Sequence, residues 1–430
     1  MGESTASTAL LTDHYELTML AAALADGTAS RACAFEVFAR RLPEGRRYGV
    51  VGGTRRVVDA IAAFRFGEAE IAHLRATGVV DESTLSWLAD YRFAGDVDGY
   101  AEGELYFPGS PVLSVRGSFA DAVVLETLVL SILNHDSAII SAAARMASAA
   151  NGRPIIEMGG RRTHERAAVA AARAAYLAGF DTTSNLEAGR SHAIPTAGTC
   201  AHAFTLLHDS EKEAFEAQVA ALGVNTTLLV DTYDITQGIE TAVAVAGPGL
   251  GAIRIDSGDV GVLARQAREQ LDDLGATGTR IVVSGDLDEY AIAALRAEPV
   301  DAYGVGTSLV TGSGRPTAGM VYKLVEVAGR PVAKRSSHKE SRGGRKLALR
   351  RHKPTGTAIE EVVHLAGGPA PEAGEHDRPL QIPLLAGGEP VPTLPTTADT
   401  RDRVRQGLVS LPWEGLKLSA GEPAIPTTYL

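Results

Sequence analysis

Four short loops in the middle of the chain combine glycine with residues that bind anions or move protons. They read Gly198-Thr199-Cys200-Ala201-His202, Arg254-Ile255-Asp256-Ser257-Gly258-Asp259, Ser284-Gly285-Asp286 and Gly304-Val305-Gly306-Thr307. The last three follow apolar runs, at roughly the spacing of one strand plus one helix. In parallel β/α folds the catalytic residues lie where strands end. The pattern therefore predicts an active site, and its residue types suit a phosphorylated substrate.

The two loops Ser284–Asp286 and 304–307 are predicted to bind a phosphate. Glycine lets backbone N–H groups approach an anion closely, and phosphate sites in β/α barrels often follow the last strands. The alternative is that these glycines only close tight turns between a strand and a helix. Either loop alone leaves both interpretations open, and the pair favours a phosphate site.

Arg254 and Asp256 lie two residues apart at the end of a predicted strand, so their side chains should point the same way. The arginine fork can bind a carboxylate or a phosphate with two donors. The alternative is a structural ion pair between these two residues. The turn Gly159-Gly160-Arg161-Arg162 is likewise either an anion-binding turn or the solvated start of a helix.

His202 follows a Gly-Thr turn, and Asp231 ends an apolar run. An acid that holds one imidazole nitrogen leaves the other free for proton or phosphoryl transfer. A lone histidine is more often a packed or surface residue, and one sequence cannot bring the two side chains together. The histidines show no metal-binding spacing, since His164-Glu165 lacks the second histidine of a zinc-peptidase motif.

The amino-acid composition and net charge limit the classes of protein to which the chain can belong. The chain has 430 residues, of which 45% are hydrophobic, and its formal charge is −11. A globular protein of two or three packed units is expected, and the acidic balance argues against non-specific nucleic-acid binding. Two cysteines favour a reducing compartment. With no recognisable signal peptide or uninterrupted apolar span, we expect a cytoplasmic protein without a membrane partner.

Apolar runs and helical patterns alternate between residues 154 and 303. Strands are predicted at 154–157, 180–182, 227–230, 252–255, 280–283 and 300–303, with helices at 163–177, 212–222, 235–245, 260–274 and 288–297. Strict alternation predicts a parallel sheet, and the number of units favours closure into a barrel. We expect an α/β fold with an N-terminal α+β domain (1–120), a β/α barrel (121–330) and a C-terminal segment (331–430) that packs with the N-terminal domain.

With these motifs in hand, the chain resembles nicotinate phosphoribosyltransferases, of the type II phosphoribosyltransferase family. The likeness begins at Thr12-Asp13-His14-Tyr15-Glu16-Leu17-Thr18-Met19 and continues to about Lys346. Its landmarks, in the right order, are 157–162, 179–185, 198–204, 231–234, 254–259, 284–286 and 304–307. The resemblance implies an irregular TIM-like barrel with an additional α+β domain built from N- and C-terminal segments.

The resemblance also implies a reaction. Nicotinate and 5-phosphoribosyl-1-pyrophosphate give nicotinate mononucleotide and pyrophosphate, in NAD salvage. Mg²⁺ is the implied cofactor, and ATP is a co-substrate whose hydrolysis is coupled through a phosphohistidine. The implied assembly is a homodimer with shared active sites, in which Tyr15 of the neighbouring subunit stacks on the pyridine ring.

Site residues follow from the same resemblance. His202 is the implied phosphohistidine, Asp231 its orienting acid, and Arg254 and Asp256 complete the catalytic set, with Asp256 and Asp259 as candidates for Mg²⁺ or the ribose hydroxyls. The implied substrate-binding residues are Tyr15, Met158, Arg161, Arg162, Asp181, Ser184, Asn185, Thr199, Ser257, Gly258, Ser284, Gly285, Asp286, Gly304, Gly306 and Thr307. The basic segment 334–346 either contacts phosphates of ATP or the donor, or is a solvated loop.

Two departures from the family pattern matter. Met158 stands where relatives commonly carry an aromatic residue, although its sulfur can still pack against a ring edge. Ser184 and Asn185 are neutral where nicotinamide-using relatives place an acid, which favours a substrate carboxylate.

The alternative functions are a phosphoribosyltransferase for nicotinamide or quinolinate, or a non-catalytic sensor of phosphoribosyl pyrophosphate or mononucleotide. A phosphosugar isomerase or aldolase would need a strand-end base, for which only Glu157 qualifies by position.

Overall fold

The computed structural model describes residues 7–334 and 341–430. Part of the basic segment 334–346 therefore lies outside the described residues. The chain divides into two compact units, which we call the N/C unit (Met1–Ser141 with Arg315–Leu430) and the barrel unit (Ala142–Gly314). The boundaries near 120 and 330 stay a prediction.

Strands and helices alternate between residues 155 and 310, whereas several strands follow one another directly on either side of that stretch. The strands are β1 (Ala32–Ala39), β2 (Gly49–Val50), β3 (Asp96–Tyr100), β4 (Leu105–Tyr106), β5 (Leu113–Ser118), β6 (Ile155–Glu157), β7 (Thr182–Thr183), β8 (Thr227–Leu229), β9 (Ala252–Ile255), β10 (Arg280–Val283), β11 (Ala302–Val305), β12 (Met320–Val327), β13 (Arg330–Pro331), β14 (Lys346–His352), β15 (Ala358–Leu365), β16 (Arg378–Pro379), β17 (Gln381–Ala386), β18 (Glu389–Pro390) and β19 (Thr427–Tyr429). The helices are α1 (His14–Ala25), α2 (Thr54–Ala62), α3 (Glu68–Thr77), α4 (Glu82–Asp90), α5 (Phe119–Val123), α6 (Glu126–Ala150), α7 (Glu165–Ala178), α8 (Leu186–His192), α9 (His202–Leu207), α10 (Glu211–Leu222), α11 (Ile235–Ala246), α12 (Val260–Asp273), α13 (Glu289–Ala294), α14 (Thr307–Val310) and α15 (Thr397–Ser410).

The N/C unit is built from both ends of the chain. Its largest sheet has the order β13-β12-β1-β5-β3-β17-β18, and β1 pairs antiparallel with β5 and with β12. Alternate residues of β1, among them Phe35 and Val37, enter the core, as the pleat of a strand requires. A second sheet has the order β16-β14-β15-β19. The expected α+β domain made of N- and C-terminal segments is confirmed.

Helix α1 begins at His14 because Asp13 caps it. The Asp13 side chain accepts a hydrogen bond from the Tyr15 amide at 3.3 Å, which satisfies a donor that the first turn leaves unpaired. Within the helix, Glu16 is fully buried and its carboxylate accepts bonds from Thr12 and Thr127. The family motif at 12–19 therefore fixes this helix against the start of α6.

The barrel unit holds a parallel sheet of order β7-β6-β11-β10-β9-β8. The fold class is confirmed as an irregular TIM-like arrangement, in which the sheet is a curled half-barrel. Full closure was wrong: no ladder joins β7 to β8 within the described residues. The physical reason is that β7 has only two residues, followed by α8 and a segment that makes the single bridge Thr183–Thr196.

The last predicted strand is shifted. β11 covers Ala302–Val305 rather than 300–303, because its ladders with β10 and β6 begin at Ala302 and Tyr303. Gly304 is consequently a strand residue, and the loop begins at Gly306.

One helical stretch within the described residues, Phe119–Ala150, is long and apolar enough to span a membrane by length and composition alone. Of its apolar window, 67% is buried in the structure. Helices in the core of a folded domain have the same character.

Candidate functional site

The site lies at the carboxyl ends of three adjacent strands of the barrel unit. Asp231 follows β8, Asp256 follows β9 and Ser284 follows β10. These strands are parallel neighbours, so their ends meet at one edge of the sheet, where β/α folds bind ligands. Three of the predicted residues are thus brought together.

Arg254 is the centre of this cluster. Its Nε donates to Ser284 Oγ at 2.8 Å, Nη1 to Thr199 Oγ1 at 3.2 Å, and Nη2 to Asp256 Oδ1 at 2.8 Å. Ser284 Oγ also donates to Asp256 Oδ1. The ion pair that was one of two interpretations of Arg254 and Asp256 is present, and it joins the Thr199 loop to the ends of β9 and β10.

Asp256 is charged in this setting. Burial alone would raise the pKa of its carboxyl, but the hydrogen bond from Ser284 and the positive charge of Arg254 outweigh it, so the pKa lies below its ordinary value. The cluster therefore presents an ionised, partly exposed carboxylate beside a guanidinium.

Asp231 is buried and holds the loop that follows β9. Its Oδ2 accepts from the Asp256 amide at 2.8 Å and from Ser257 Oγ at 2.7 Å. Its Oδ1 is buried and makes no hydrogen bond within the described residues. One oxygen of this carboxylate is structural, and the other is available to a neighbour.

That neighbour is His202, the first residue of α9. Its Nε2 lies 4.0 Å from Asp231 Oδ1, and its Nδ1 lies 3.1 Å from Thr232 Oγ1. The imidazole is 41% exposed whereas the Asp231 side chain is 1% exposed. The pair expected from the sequence is side by side, at a distance longer than a hydrogen bond, and the imidazole is partly open to solvent.

Glu211 is a residue that sequence reasoning did not select. Its pKa is raised to about 7, first by burial and then by the charges of Asp231 and Asp234. Its Oε1 is buried without a hydrogen-bond partner within the described residues. In the sequence, Glu211 stands out only as the first residue of a helix, because Ser210 before it is a capping residue of α10. A helix start carries no information about function.

Glu157 shapes the turn after β6. Its two oxygens accept from the Gly159 amide and from Thr183 Oγ1. Burial raises its pKa, and the bond from Thr183 offsets only part of the rise. Because both oxygens are engaged inside the protein, this carboxylate fixes the turn instead of facing a ligand, which weakens the isomerase alternative.

Met158 packs directly against Gly304. A Cβ atom added to Gly304 would lie 2.8 Å from Met158 Sδ and 3.0 Å from Ser284 Cβ. Close packing therefore leaves no room for a side chain at this glycine of β11, and its role in binding phosphate stays a prediction. This contact connects the end of β6 to the Arg254 cluster through Ser284.

The turn after Glu157 carries two exposed arginines, Arg161 and Arg162, and is closed by a bond from the Arg162 amide to Gly159 O at 2.8 Å. Asn185 caps α8 by accepting from the Ala188 amide at 3.0 Å. Its Nδ2 lies 3.8 Å from the place of a Cβ on Gly160. The base-binding candidates of β6 and β7 are therefore neighbours, with Ser184 exposed beside them.

Asp181 does not join this group. Its Oδ2 accepts from the Ile155 amide at 2.9 Å, at the amino end of β6. Asp301 makes the same contact with Ile281 at the start of β10, at 2.7 Å. Each aspartate accepts from a main-chain amide near the amino end of a strand, at the edge opposite to the cluster.

The remaining predicted residues are loop positions. Gly285 has φ +106°, and a Cβ there would lie 2.4 Å from Asp256 O, so only glycine fits. Gly258 has φ +83°, and Asp286, Gly306 and Thr307 follow β10 and β11. Tyr15 belongs to the N/C unit and is 44% exposed.

The two carboxylates predicted to bind Mg²⁺, Asp256 and Asp259, already make hydrogen bonds within the protein. Asp256 Oδ1 is occupied by Arg254 and Ser284, and Asp259 caps α12 through Val262. Residues 7–334 and 341–430 contain no group of three or more metal-ligating side chains. Mg²⁺ usually binds through one or two carboxylates plus substrate phosphates and water, so these residues fit an ion carried in by a substrate.

Comparisons with known proteins agree on one family. A model of the nicotinate phosphoribosyltransferase (NAPRTase) N-terminal domain matches residues 10–134. Nicotinate phosphoribosyltransferase pncB1 of Mycobacterium tuberculosis is 67% identical over 426 residues, covering 97% of this chain and 94% of that protein. Human nicotinic acid phosphoribosyltransferase superposes with a TM-score of 0.83 at 27% identity, over 97% of both chains. For nicotinate-nucleotide pyrophosphorylase from Pyrococcus furiosus the TM-score is 0.79 at 25% identity, over 95% of this chain and 97% of that one. The chain belongs to the nicotinate phosphoribosyltransferase family.

Proposed function

We propose that this protein transfers the phosphoribosyl group of 5-phosphoribosyl-1-pyrophosphate to nicotinate, in NAD salvage. The observation that supports it best is the cluster around Arg254, in which a guanidinium, the ionised Asp256 and the pair His202–Asp231 meet at the ends of three adjacent strands. The C1–O bond to pyrophosphate breaks, the pyridine nitrogen bonds to C1, and pyrophosphate leaves.

Nicotinate is preferred over nicotinamide for an electrostatic reason. The neutral Ser184 and Asn185 lie next to the turn that carries Arg161 and Arg162. Hydroxyl, amide and guanidinium groups can donate to a carboxylate, and no acid of this turn opposes it. Quinolinate carries two carboxylates, so its binding would require further cationic side chains here. Met158, fixed against Gly304, would pack on the ring edge.

ATP hydrolysis is coupled, on this proposal, through His202. A ring nitrogen of its partly exposed imidazole can attack the γ-phosphorus of ATP, so that an N–P bond forms as the P–O bond to ADP breaks, and water later removes the group as phosphate. The free oxygen of Asp231 could hold the opposite ring nitrogen after a small rotation of the imidazole.

When bound, Mg²⁺ would neutralise phosphate charge, with Asp256 as its candidate ligand. Both cysteines are free, which suits cytoplasmic action.

The protein is proposed to act as a homodimer in which the neighbouring subunit's copy of Tyr15 stacks on the pyridine ring. A mixed dimer tests this: one subunit carries Tyr15→Ala and the other His202→Ala. If sites are shared, one of the two sites in each mixed dimer has both residues intact, and about half of the wild-type rate returns. If sites are not shared, activity stays at the level of the single variants.

The deciding experiment measures pyrophosphate and ADP release with nicotinate, nicotinamide or quinolinate, with and without ATP. We expect turnover with nicotinate that rises with ATP, and little with the other bases. His202→Ala should abolish the ATP effect while leaving slow, uncoupled synthesis, and an unchanged ratio of ADP to product in that variant would refute the phosphohistidine. Tight binding of mononucleotide without turnover would support the sensor instead.

A further inference from the structure

Glu157 and Thr183 form a buried pair where β6 and β7 end side by side. Each residue is 1% exposed, and the two are register partners in the parallel ladder of these strands. The Thr183 hydroxyl donates to one carboxylate oxygen of Glu157, and the Gly159 amide donates to the other. The pair therefore joins β7 to the turn that follows β6.

The same hydroxyl also holds the start of α8. Thr183 Oγ1 accepts from the Asn185 amide at 3.0 Å, so its single proton is used toward Glu157 and a lone pair toward Asn185. Asn185 Oδ1 is taken by the Ala188 amide, which leaves Nδ2 as the group that this side chain can offer a ligand. A continuous chain of hydrogen bonds thus connects Gly159 to Asn185, across the two base-binding turns.

A side chain is needed here because β7 is so short. Its ladder with β6 covers two residue pairs, and beyond it the Ser184 amide donates to Glu157 O at 2.8 Å. From the other side, the Ala197 amide donates to Thr183 O at 3.0 Å. A strand of two residues forms few ladder bonds, so the Thr183 hydroxyl adds a connection to β6 that the ladder does not supply.

We propose that Thr183 and Glu157 are positioning residues that determine the selectivity for nicotinate. The Thr183 hydroxyl fixes the spacing between Asn185 Nδ2 and the turn that carries Arg161, so that donors from both sides meet the two oxygens of a substrate carboxylate. A carboxamide offers one acceptor and one donor, so the same spacing opposes it. The identity of the ligand rests on the proposed function, whereas the effect of the pair is measurable by binding alone.

The test is titration calorimetry of the purified full chain with nicotinate mononucleotide and with nicotinamide mononucleotide, which differ only in the carboxylate or carboxamide group. The readout is the ratio of the two dissociation constants. Thr183→Val keeps the shape of the side chain and removes the hydroxyl, so nicotinate mononucleotide should bind more weakly and the ratio should fall about tenfold, the upper range for one uncharged hydrogen bond. Thr183→Ser keeps the hydroxyl and should stay within about twofold of the wild type.

Thr279→Val is the matched control. Thr279 is also 1% exposed, and its hydroxyl donates to Leu250 O at 2.9 Å, before the amino ends of β10 and β9. This variant loses one buried hydrogen bond as well, so its thermal unfolding should shift as that of Thr183→Val does, with the mononucleotide ratio unchanged.

A double variant tests whether Thr183 acts through Asn185. In Asn185→Ala no Nδ2 remains to be positioned, so adding Thr183→Val should change the ratio less than about twofold. Losses that multiply in the double variant would show that the two residues act independently and would overturn the inference.

Four further results would overturn it. They are equal affinity of the wild type for the two mononucleotides, an unchanged ratio in Thr183→Val, an equal fall in Thr279→Val, and a Thr183→Ser variant that does not keep the wild-type ratio. If Thr183→Val does not fold, Thr183→Cys replaces it. A thiol is a weaker donor than a hydroxyl, so the ratio should still fall, and an unchanged ratio would again refute the role of the hydroxyl.

Kinetics separate this inference from the proposed function. Thr183→Val should raise the KM for nicotinate about tenfold, with kcat and the KM for the phosphoribosyl donor nearly unchanged. Mononucleotide selectivity that depends on Thr183 in a protein without turnover would refute the proposed function and keep the positioning pair. Turnover of nicotinate with a selectivity that is the same in Thr183→Val and the wild type would do the reverse.

Discussion

The main-chain amide of Asp256 donates to Asp231 Oδ2 at 2.8 Å, so the carboxylate that faces His202 also fixes the residue that pairs with Arg254. The ends of β8 and β9 are thereby tied together by a side chain at one end of the sheet. A change at Asp231 consequently acts on the histidine and on the arginine cluster at the same time.

Asp231→Asn should lower the ATP-dependent rate by about a hundredfold or more, the range for loss of a group that supports proton transfer. Asparagine keeps an oxygen for the Asp256 amide but removes the charge beside His202. Ser257→Ala is the matched control, since it removes only one donor to Oδ2 and should cost about tenfold at most. Equal rates for the two variants would show that the charge facing His202 is unimportant.

Arg254→Lys should raise the KM for the phosphoribosyl donor about ten- to a hundredfold, corresponding to about 1.5–3 kcal/mol for charge-assisted bonds. Lysine keeps the charge but cannot reach Ser284, Thr199 and Asp256 with a planar fork. Steady-state kinetics would measure the effect. Arg280→Lys, on the exposed start of the neighbouring strand, should leave this KM unchanged, and a similar rise there would contradict a specific role for Arg254.

Gly304→Ala should destabilise the protein by about 1–3 kcal/mol, the usual cost of adding a methyl group to a tightly packed position. The new Cβ would meet Met158 Sδ and Ser284 Cβ, so we also expect a higher KM for the base. Gly249→Ala is the control, because nothing lies within 4 Å of the added Cβ. Chemical denaturation measures the difference, and equal stabilities would show that Met158 moves aside freely.

Gly304 also shows which features could not be predicted from the sequence. The order of strands and helices in the barrel unit could be predicted because apolar runs and helical periods depend on local sequence, and Arg280–Val283 was placed to the residue. The role of Gly304 could not, since a glycine in a loop and a glycine under a neighbouring side chain look alike until Met158 is placed in space.

The same limit applies to the aspartates. Asp181 and Asp231 both lie beside short apolar strands, yet one satisfies the amino end of β6 and the other the carboxyl end of β8. The parallel sheet stays open beside β7, because that strand contributes only two residues. Glu211 gave no functional signal, because its raised pKa depends first on burial and then on two carboxylates that are distant in sequence.

Glu211 should make the protein less stable as the pH rises. Its pKa in the folded state is about 7, above the ordinary 4.5 of glutamate, because burial and the charges of Asp231 and Asp234 disfavour its ionised form. The stabilising contribution of the protonated group is therefore fully present below about pH 4.5 and is lost as the pH passes through about 7. We expect Glu211→Gln, which cannot ionise, to remove this loss.

The measurement compares the free energy of unfolding in urea at about pH 6 and about pH 8 for the wild type and Glu211→Gln. The variant should gain stability relative to the wild type at the higher pH, while histidines and other groups that titrate in both proteins cancel in the difference. Glu213→Gln is the matched control, since Glu213 lies in the same first turn of α10 but is exposed. A constant difference between Glu211→Gln and the wild type across this range would show that Glu211 is ionised throughout, and hence that Asp231 already has a second negative charge beside it at neutral pH.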